Sequence, residues 1–144
     1  MKIIASLNFS GNAQEAMHFY KDALSGEITG IMRYKHVPET RKNPDTFEYV
    51  FHGEIVFNDC KLFFSDYYFD GGIIVGNHVG IMIDCDSEEQ IRMFFDGLKS
   101  GAKRVLMKPQ ETFWGAFYAQ LIDKYGIGWS FNYQKRTFIY PTRF

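Results

Sequence analysis

The chain has 144 residues, a formal net charge of −1 at pH 7 and an apolar fraction of 46%. This length predicts one compact domain or two half-domains that share a core, and the charge argues against a nucleic-acid-binding protein, which usually carries a basic face. No apolar stretch approaches the length of a membrane span and no secretory apolar segment follows the N-terminus, so we expect a soluble cytoplasmic protein.

The first half of the chain reads as a strand, a helix and three further strands. A 3.6-residue apolar pattern predicts a helix from about Ala13 to Leu24, with Gly26 as a left-handed stop. The turn Asn58-Asp59 predicts a hairpin, and the polar, proline-containing segment His36–Thr46 predicts a loop whose role as a lid is left open. The predicted strands are residues 2–9, 27–34, 47–57 and 60–65.

The second half repeats this order. Residues 12–26 (NAQEAMHFYKDALSG) and 87–101 (SEEQIRMFFDGLKSG) each begin with a helix-capping residue, place an aromatic pair at the same step and end in Ser-Gly. A second helix is therefore predicted from about Glu88 to Lys99, and Pro109–Phe113 is predicted to be a loop. The predicted strands are residues 78–84, 104–107, 116–122 and 128–133.

These elements predict an α+β fold built from two βαβββ modules. Module one spans residues 1–69 and module two spans residues 76–134, and a basic, aromatic C-terminal tail covers residues 135–144. A duplicated scaffold of this kind pairs two similar halves, so we expect a shared cavity lined by part of the large aromatic content.

Several motifs along the chain resemble one known family. They are Asn8-Phe9, Gly11-Asn12, Phe19-Tyr20, His52 within FHGEIVFND, Phe64-Ser65-Asp66, Asp86–Glu89, QETFWG at residues 110–115, DKYG at residues 123–126 and Trp129. On these residues the chain resembles the PhnB-like branch of the vicinal oxygen chelate superfamily, which includes glyoxalase I, bleomycin-resistance proteins and extradiol dioxygenases. The resemblance implies that each module curls into a half-barrel, that the two modules enclose a cavity, and that the protein is a homodimer.

Some PhnB-like proteins carry a 3-demethylubiquinone methyltransferase name. A methyltransferase of the common type needs a glycine-rich turn after a parallel strand to hold its nucleotide-like cofactor, and this chain lacks such a turn. We therefore do not expect methyltransferase activity.

The resemblance also implies a divalent metal, because superfamily enzymes hold one through four side chains, two from each module, and the substrate chelates it through adjacent oxygens. The candidate ligands here are His52 and Glu54, which lie two apart on one face of a predicted strand, and His78 in the second module.

Two of the four expected ligand positions carry residues that are not normal ligands, namely Ala5 and Ser130. Gln120, on the neighbouring strand, could substitute for one of them. An intact metal centre is therefore not expected, and we expect His52, Glu54 and Gln120 to form a buried polar group without metal.

The most plausible reading is a protein that binds a small organic molecule in a mainly aromatic cavity. Trp114 and Trp129 each offer a flat apolar surface and one N–H donor, which suits an aromatic or carbonyl-bearing ligand. The expected ligand contacts are His52, Glu54, Trp114, Gln120 and Trp129. The alternatives are a metal-dependent lyase, isomerase or dioxygenase, a drug-sequestering resistance protein, and a structural module with no cavity.

Overall fold

The computed structural model describes residues 1–40, 43–67 and 71–142, and the chain divides into two units, Met1–Ile74 and Val75–Phe144. The elements of unit 1 are β1 (Ala5–Phe9), α1 (Ala13–Leu24), β2 (Glu27–Arg33), β3 (Val50–Phe57) and β4 (Cys60–Asp66). The elements of unit 2 are β5 (Gly80–Asp84), α2 (Glu88–Leu98), β6 (Arg104–Glu111), β7 (Ala116–Ile122) and β8 (Gly128–Gln134).

The two units have the same sheet topology. The first sheet has the strand order β1-β4-β3-β2 and the second has the order β5-β8-β7-β6. In each sheet the first strand pairs in parallel with the last, and the remaining pairs are antiparallel. This arrangement confirms the predicted α+β fold with two βαβββ modules.

Helix α1 packs on one face of the first sheet. Its residues Met17 and Tyr20 are fully buried, as are Ile55 on β3 and Phe64 on β4. Burying a side chain of this size stabilises the folded chain by about 1.5–3 kcal/mol. Because side chains alternate along a strand, every second residue of β3 and β4 lies on the opposite face, which α1 does not cover.

Both ends of α1 differ from the sequence expectation. Asn12 makes no side-chain capping bond to the helix, and Asp66 at the end of β4 takes its place: its Oδ1 accepts hydrogen bonds from the Gly11 and Ala13 N–H groups, at 2.7 and 2.9 Å. At the other end, Ser25 adopts the left-handed conformation that was expected of Gly26. Glycine is needed at position 26 for a different reason, since a Cβ there would overlap the ring of Phe57.

Helix α2 is capped by its own sequence. The Ser87 Oγ accepts a hydrogen bond from the Gln90 N–H at 3.1 Å, and the Gln90 Oε1 accepts one from the Asp86 N–H at 2.8 Å. The helix buries Ile91 and Leu98 against the second sheet. The capping role predicted for Ser87 is therefore confirmed.

Several predicted strand boundaries shift. β1 begins at Ala5, β3 at Val50 and β5 at Gly80, each two or three residues later than expected. The predicted loop Pro109–Phe113 is wrong in its first half, because β6 continues to Glu111. Among the described residues β6 pairs with β7 alone, and its ladder is irregular between Met107 and Gln110, which lets an edge strand accommodate a proline.

The segments between the strands contain short turns. The predicted loop His36–Thr46 holds 3-10 turns at Pro38–Thr40 and Pro44–Thr46, and residues 41–42 of it lie outside the described residues. The predicted end of module one at residue 69, Asp70 and the last two residues of the tail also lie outside them. No helix among the described residues has both the length and the apolarity needed to cross a bilayer.

Candidate functional site

The face of the first sheet opposite α1, here called the open face of unit 1, carries most of the polar side chains of that sheet. It presents Asn8 from β1, His52 and Glu54 from β3, and Lys61, Phe63 and Ser65 from β4. On its β1 side the Ser65 Oγ donates a hydrogen bond to the Asn8 Oδ1 at 2.8 Å. The two residues that the sequence singled out in module one, His52 and Glu54, thus share one face, as their spacing predicted.

The carboxylate of Glu54 is held by two partners. Its Oε1 accepts a hydrogen bond from the Thr29 hydroxyl at 2.6 Å, and its Oε2 accepts one from the Lys61 Nζ at 3.3 Å. The Thr29 hydrogen bond, together with that of Lys61, outweighs the effect of burial and lowers the pKa of Glu54 from its ordinary value of 4.5. Glu54 is therefore a stable anion with both oxygens engaged, which makes it a poor general base.

His52 is an exposed polar residue on the open face of unit 1. Its side chain is exposed, and its ring meets the ring of Phe63 edge-on, with the centroids 4.7 Å apart at an interplanar angle of 72°. This contact fixes the plane of the imidazole beside an apolar surface. The pair can therefore offer a hydrogen-bonding nitrogen next to an aromatic face.

Gln120 lies on the corresponding face of the second sheet, here called the open face of unit 2. It pairs with Ser130 on β8 and with Met107 on β6. Its neighbour Tyr118 lies on the same face, since the two are separated by one residue of β7. The half-buried amide of Gln120 can both donate and accept a hydrogen bond toward a ligand.

Trp114 lies beside this face, in the turn before β7. Its ring is edge-on to Tyr118, with the centroids 5.4 Å apart, and edge-on to the exposed ring of Phe113 at 5.1 Å. Gly115 follows with a φ of 80°, a conformation that favours glycine and that lets the chain turn back into β7. Trp114 and Gln120 thus belong to one surface of unit 2, connected through Tyr118.

Trp129 is placed differently from the other candidates. It is 1% exposed and pairs with Leu121 on the side of the sheet that faces α2. Its Nε1–H donates to the Asp123 Oδ2 at 2.8 Å, while the Asp123 Oδ1 accepts from the Tyr125 N–H. Asp123 therefore holds its own turn together, and the contacts of Trp129 are those of a core residue.

The metal that the resemblance implies does not fit the residues found within either unit. Ala5 is apolar and pairs with the buried Leu62, on the side that faces α1. His78 is exposed and precedes β5, and Ser130 offers only a hydroxyl. Among the residues that the structure describes, no three or more His, Cys, Asp or Glu side chains are grouped so that they could hold a metal ion.

The sequence reasoning missed Thr29, Lys61 and Phe63 as parts of the open face of unit 1. The signal for two of them was present in the hairpin, because a two-residue turn at Asn58-Asp59 fixes the β3–β4 register and sets Phe63 opposite Glu54. Lys61 follows on the same face, two residues away. Thr29 had no such signal, since the irregular pairing of β2 near Ile28 and Gly30 cannot be read from the chain.

Comparisons with known proteins agree with this architecture. The family model described as 3-demethylubiquinone-9 3-methyltransferase matches residues 1–132. Protein YjdN of Escherichia coli is 24% identical over 147 residues, a match that covers 94% of this chain and 97% of that protein.

Several solved structures have the same fold as this chain. A PhnB protein from Bacillus cereus that carries the same methyltransferase name is 27% identical and has a TM-score of 0.76, over 92% of this chain and 99% of that one. Protein PA1353 from Pseudomonas aeruginosa is 24% identical with a TM-score of 0.82, over 94% and 99% of the two chains. A glyoxalase/bleomycin resistance protein/dioxygenase family enzyme from Burkholderia phytofirmans shares the fold, with a TM-score of 0.58 at 15% identity, over 90% and 97% of the two chains.

The repeated βαβββ topology, the motifs shared with PhnB-like proteins and the match over residues 1–132 lead to one assignment. The chain belongs to the family described as 3-demethylubiquinone-9 3-methyltransferase, and it shares the fold of a glyoxalase/bleomycin resistance protein/dioxygenase family enzyme.

Proposed function

We propose that this protein binds small aromatic, carbonyl-bearing organic molecules and that the open face of each sheet offers contacts for them, without a preassembled metal centre. The observation that carries the proposal is the pairing of the exposed His52 imidazole with the Phe63 ring, 4.7 Å between centroids. The neighbouring Glu54 carboxylate is an anion whose oxygens are already engaged by Thr29 and Lys61. A ligand carbonyl can accept a hydrogen bond from His52 while its ring packs on Phe63. Small-molecule sites commonly combine apolar walls, which contact the body of the ligand, with a few fixed polar groups, which orient it.

The open face of unit 2 supports the same ligand class. Trp114 and Tyr118 present two rings at an angle of 76°, and Gln120 adds an amide on the same face. An aromatic ligand can stack on one ring and meet the edge of the other, an arrangement worth about 0.5–1.5 kcal/mol per pair beyond the buried area.

The methyltransferase name of the family is not part of the proposal. A nucleotide-like cofactor usually rests on the N–H groups at the start of the helix that follows the first strand. Here the Gly11 and Ala13 N–H groups at the start of α1 already donate to the Asp66 carboxylate, which is 1% exposed. The negative charge of Asp66 also repels an anionic cofactor group at this position.

A thermal-shift titration with uncharged aromatic carbonyl compounds, such as hydroxyacetophenone and hydroxybenzaldehyde, tests the proposal. We expect ligand-dependent stabilisation that is unchanged when EDTA is present. His52→Ala should weaken binding by about 2- to 10-fold, because one hydrogen bond and one ring contact are lost. His18→Ala, which removes an exposed histidine from α1, is the matched control and should bind as the parent protein does.

Two alternatives give different outcomes in the same experiment. A metal-dependent lyase, isomerase or dioxygenase would show binding that disappears with EDTA and returns with a divalent metal, and it would turn the ligand over. A drug-sequestering protein would be stabilised by bleomycin and would leave the drug unaltered. Stabilisation by none of the aromatic carbonyl compounds would overturn the proposal.

The homodimer and the cytoplasmic location stay predictions. Large apolar side chains are exposed at Ile74, Phe113 and Ile139, and a second copy that covered them would remove this apolar surface from water. Light scattering on the purified protein should give twice the monomer mass of 16.8 kDa. A monomer at micromolar concentration would contradict the dimer.

A further inference from the structure

The two units differ most clearly where their helices approach the edge strand of the sheet. The repeat aligns residue 12 with residue 87, so Met17 corresponds to Arg92 and Leu24 to Lys99. In unit 1 both positions are buried apolar residues, at 0% and 5% exposure. In unit 2 both are exposed cations.

A groove lies between α2 and β6, and both of these cations line it. The groove has a volume of about 340 Å³, and its lining consists of three apolar residues, three cations and one carboxylate: Phe95, Val105, Pro109, Arg92, Lys99, Lys108 and Asp96. We call it the helix–edge groove. Its volume lies within the range of about 300–1,000 Å³ that is typical of small-molecule sites.

The charge of the helix–edge groove is positive although the chain is slightly acidic. Residues 92–108 contain five basic residues and one acidic residue, Asp96, whereas the whole chain has a net charge of −1. Asp96 is paired with Lys99 at 2.9 Å, which leaves Arg92 and Lys108 as the cations of the groove without a carboxylate partner among the described ion pairs.

Arg92 is oriented for anion recognition. Its guanidinium lies over the ring of Phe117, 4.9 Å from the centroid, so one planar face is covered by an aromatic group. The N–H groups at the edge of the guanidinium stay available, and their fork matches the oxygens of a carboxylate or phosphate. The buried Phe95, 6% exposed, forms an apolar floor close to the cations.

We propose that the helix–edge groove binds small organic anions that carry an apolar body, with Arg92 and Lys108 contacting a carboxylate or phosphate group and Phe95, Val105 and Pro109 contacting the body. The groove lies on the helix side of the second sheet, since Val105 pairs with the buried Leu121. It is therefore distinct from the open face of unit 2 and does not depend on the function proposed for His52.

A competing explanation is that the basic residues and Pro109 only protect the edge strand β6 from pairing with other chains, a common use of such residues. That explanation requires no ligand. It predicts no saturable binding and no preference for a molecule with both charge and apolar surface.

Amide chemical-shift titrations with naphthyl phosphate, naphthoate, inorganic phosphate and naphthol separate the two explanations. We expect saturable shifts confined to α2 and β6 with both naphthyl anions, at least several-fold weaker binding of inorganic phosphate and of naphthol, and weakening as salt is raised. Stronger binding of one naphthyl anion identifies the head group. Absence of saturable shifts, or equal binding of inorganic phosphate and naphthyl phosphate, overturns the proposal.

Variants test the assignment of the residues. Lys108→Gln should weaken binding of naphthyl phosphate by about 2- to 5-fold, and Lys108→Glu by roughly 10-fold or more, because it places a like charge beside the ligand. Lys2→Gln removes an exposed lysine in unit 1 and should leave the affinity unchanged. Unaltered affinity of the correctly folded Lys108→Glu protein, checked by circular dichroism, would overturn the proposal.

Discussion

Replacing Asp66 by Asn tests how unit 1 is held together. The carboxylate is 1% exposed and accepts three backbone hydrogen bonds, from Gly11 and Ala13 at the start of α1 and from Val50 at the start of β3. An asparagine has the same shape but one acceptor oxygen, so its NH₂ group must face a backbone N–H. The substitution therefore changes hydrogen bonding and charge while leaving the packing volume almost constant.

Two contributions add up to the expected loss in the free energy of unfolding. Leaving the buried Val50 N–H without an acceptor costs about 1–3 kcal/mol, and removing the negative charge at the start of α1 costs about 0.3–1 kcal/mol. We expect Asp66→Asn to lower the free energy of unfolding by about 1.3–4 kcal/mol, which for a chain of this length corresponds to a fall in Tm of roughly 4–12 °C.

Urea and thermal unfolding followed by far-UV circular dichroism measure this loss, and tryptophan fluorescence reports unit 2 separately because both tryptophans, Trp114 and Trp129, lie there. Asp22→Asn is the control, because it removes a carboxylate from α1 itself. The Asp22 side chain is 77% exposed, and its ion pair with Lys21 spans 3.4 Å. A loss below about 0.5 kcal/mol for Asp66→Asn, the range of ordinary surface changes, would refute the reasoning.

Three further predictions follow from single groups. Gly26→Ala should destabilise the protein by about 1–3 kcal/mol in urea unfolding, because the new Cβ overlaps the Phe57 ring, whereas Gly30→Ala, with open space around it, should cost under about 1 kcal/mol; equal effects would contradict the steric account. The Glu54 carboxyl, whose folded pKa is lowered from 4.5, should stabilise the protein fully above pH 4.5 and lose that effect as the pH falls through the lowered value, and an NMR titration midpoint at or above 4.5 would be the opposite of what we expect. Burial raises the pKa of the Cys85 thiol to about 12, so iodoacetamide at pH 8 should label it only after unfolding, and mass spectrometry showing rapid labelling of the folded protein would count against its burial.

The helices were the most predictable part of the chain. The periodic burial of Ala16, Tyr20 and Ala23 fixes α1, and its predicted bounds, Ala13 to Leu24, are those observed. Sequence rules for where a helix ends predicted the end of α1 less well. The sequence Ser25-Gly26 suggests a glycine stop, yet Ser25 adopts the left-handed conformation, and Gly26 is required because Phe57 on a distant strand leaves no room for a Cβ.

The candidate site was predictable only where one strand carried the information. His52 and Glu54 share a face because they lie two apart on β3, and any strand would place them so. The partners of Glu54 come from β2 and β4, and the irregular β2 pairing hides Thr29 from sequence reasoning. The role of Trp129 could not be predicted, because an indole suits a ligand pocket and a protein core equally well. The hydrogen bond from its Nε1–H to the buried Asp123 carboxylate identifies it as a core residue.

The residues that cap the two helices lie at very different distances along the chain from the helices themselves. This difference has a consequence for biosynthesis. The acceptor at the start of α2 is Ser87, adjacent to the helix, so this helix can form as soon as its own residues leave the ribosome. The acceptor at the start of α1 is Asp66, 53 residues beyond Ala13, so the Gly11 and Ala13 amides gain their acceptor only when the last strand of the unit has been made. We therefore expect nascent chains stalled before residue 66 to show strong hydrogen exchange at the Gly11 and Ala13 amides, and chains stalled after β4 is exposed to protect them.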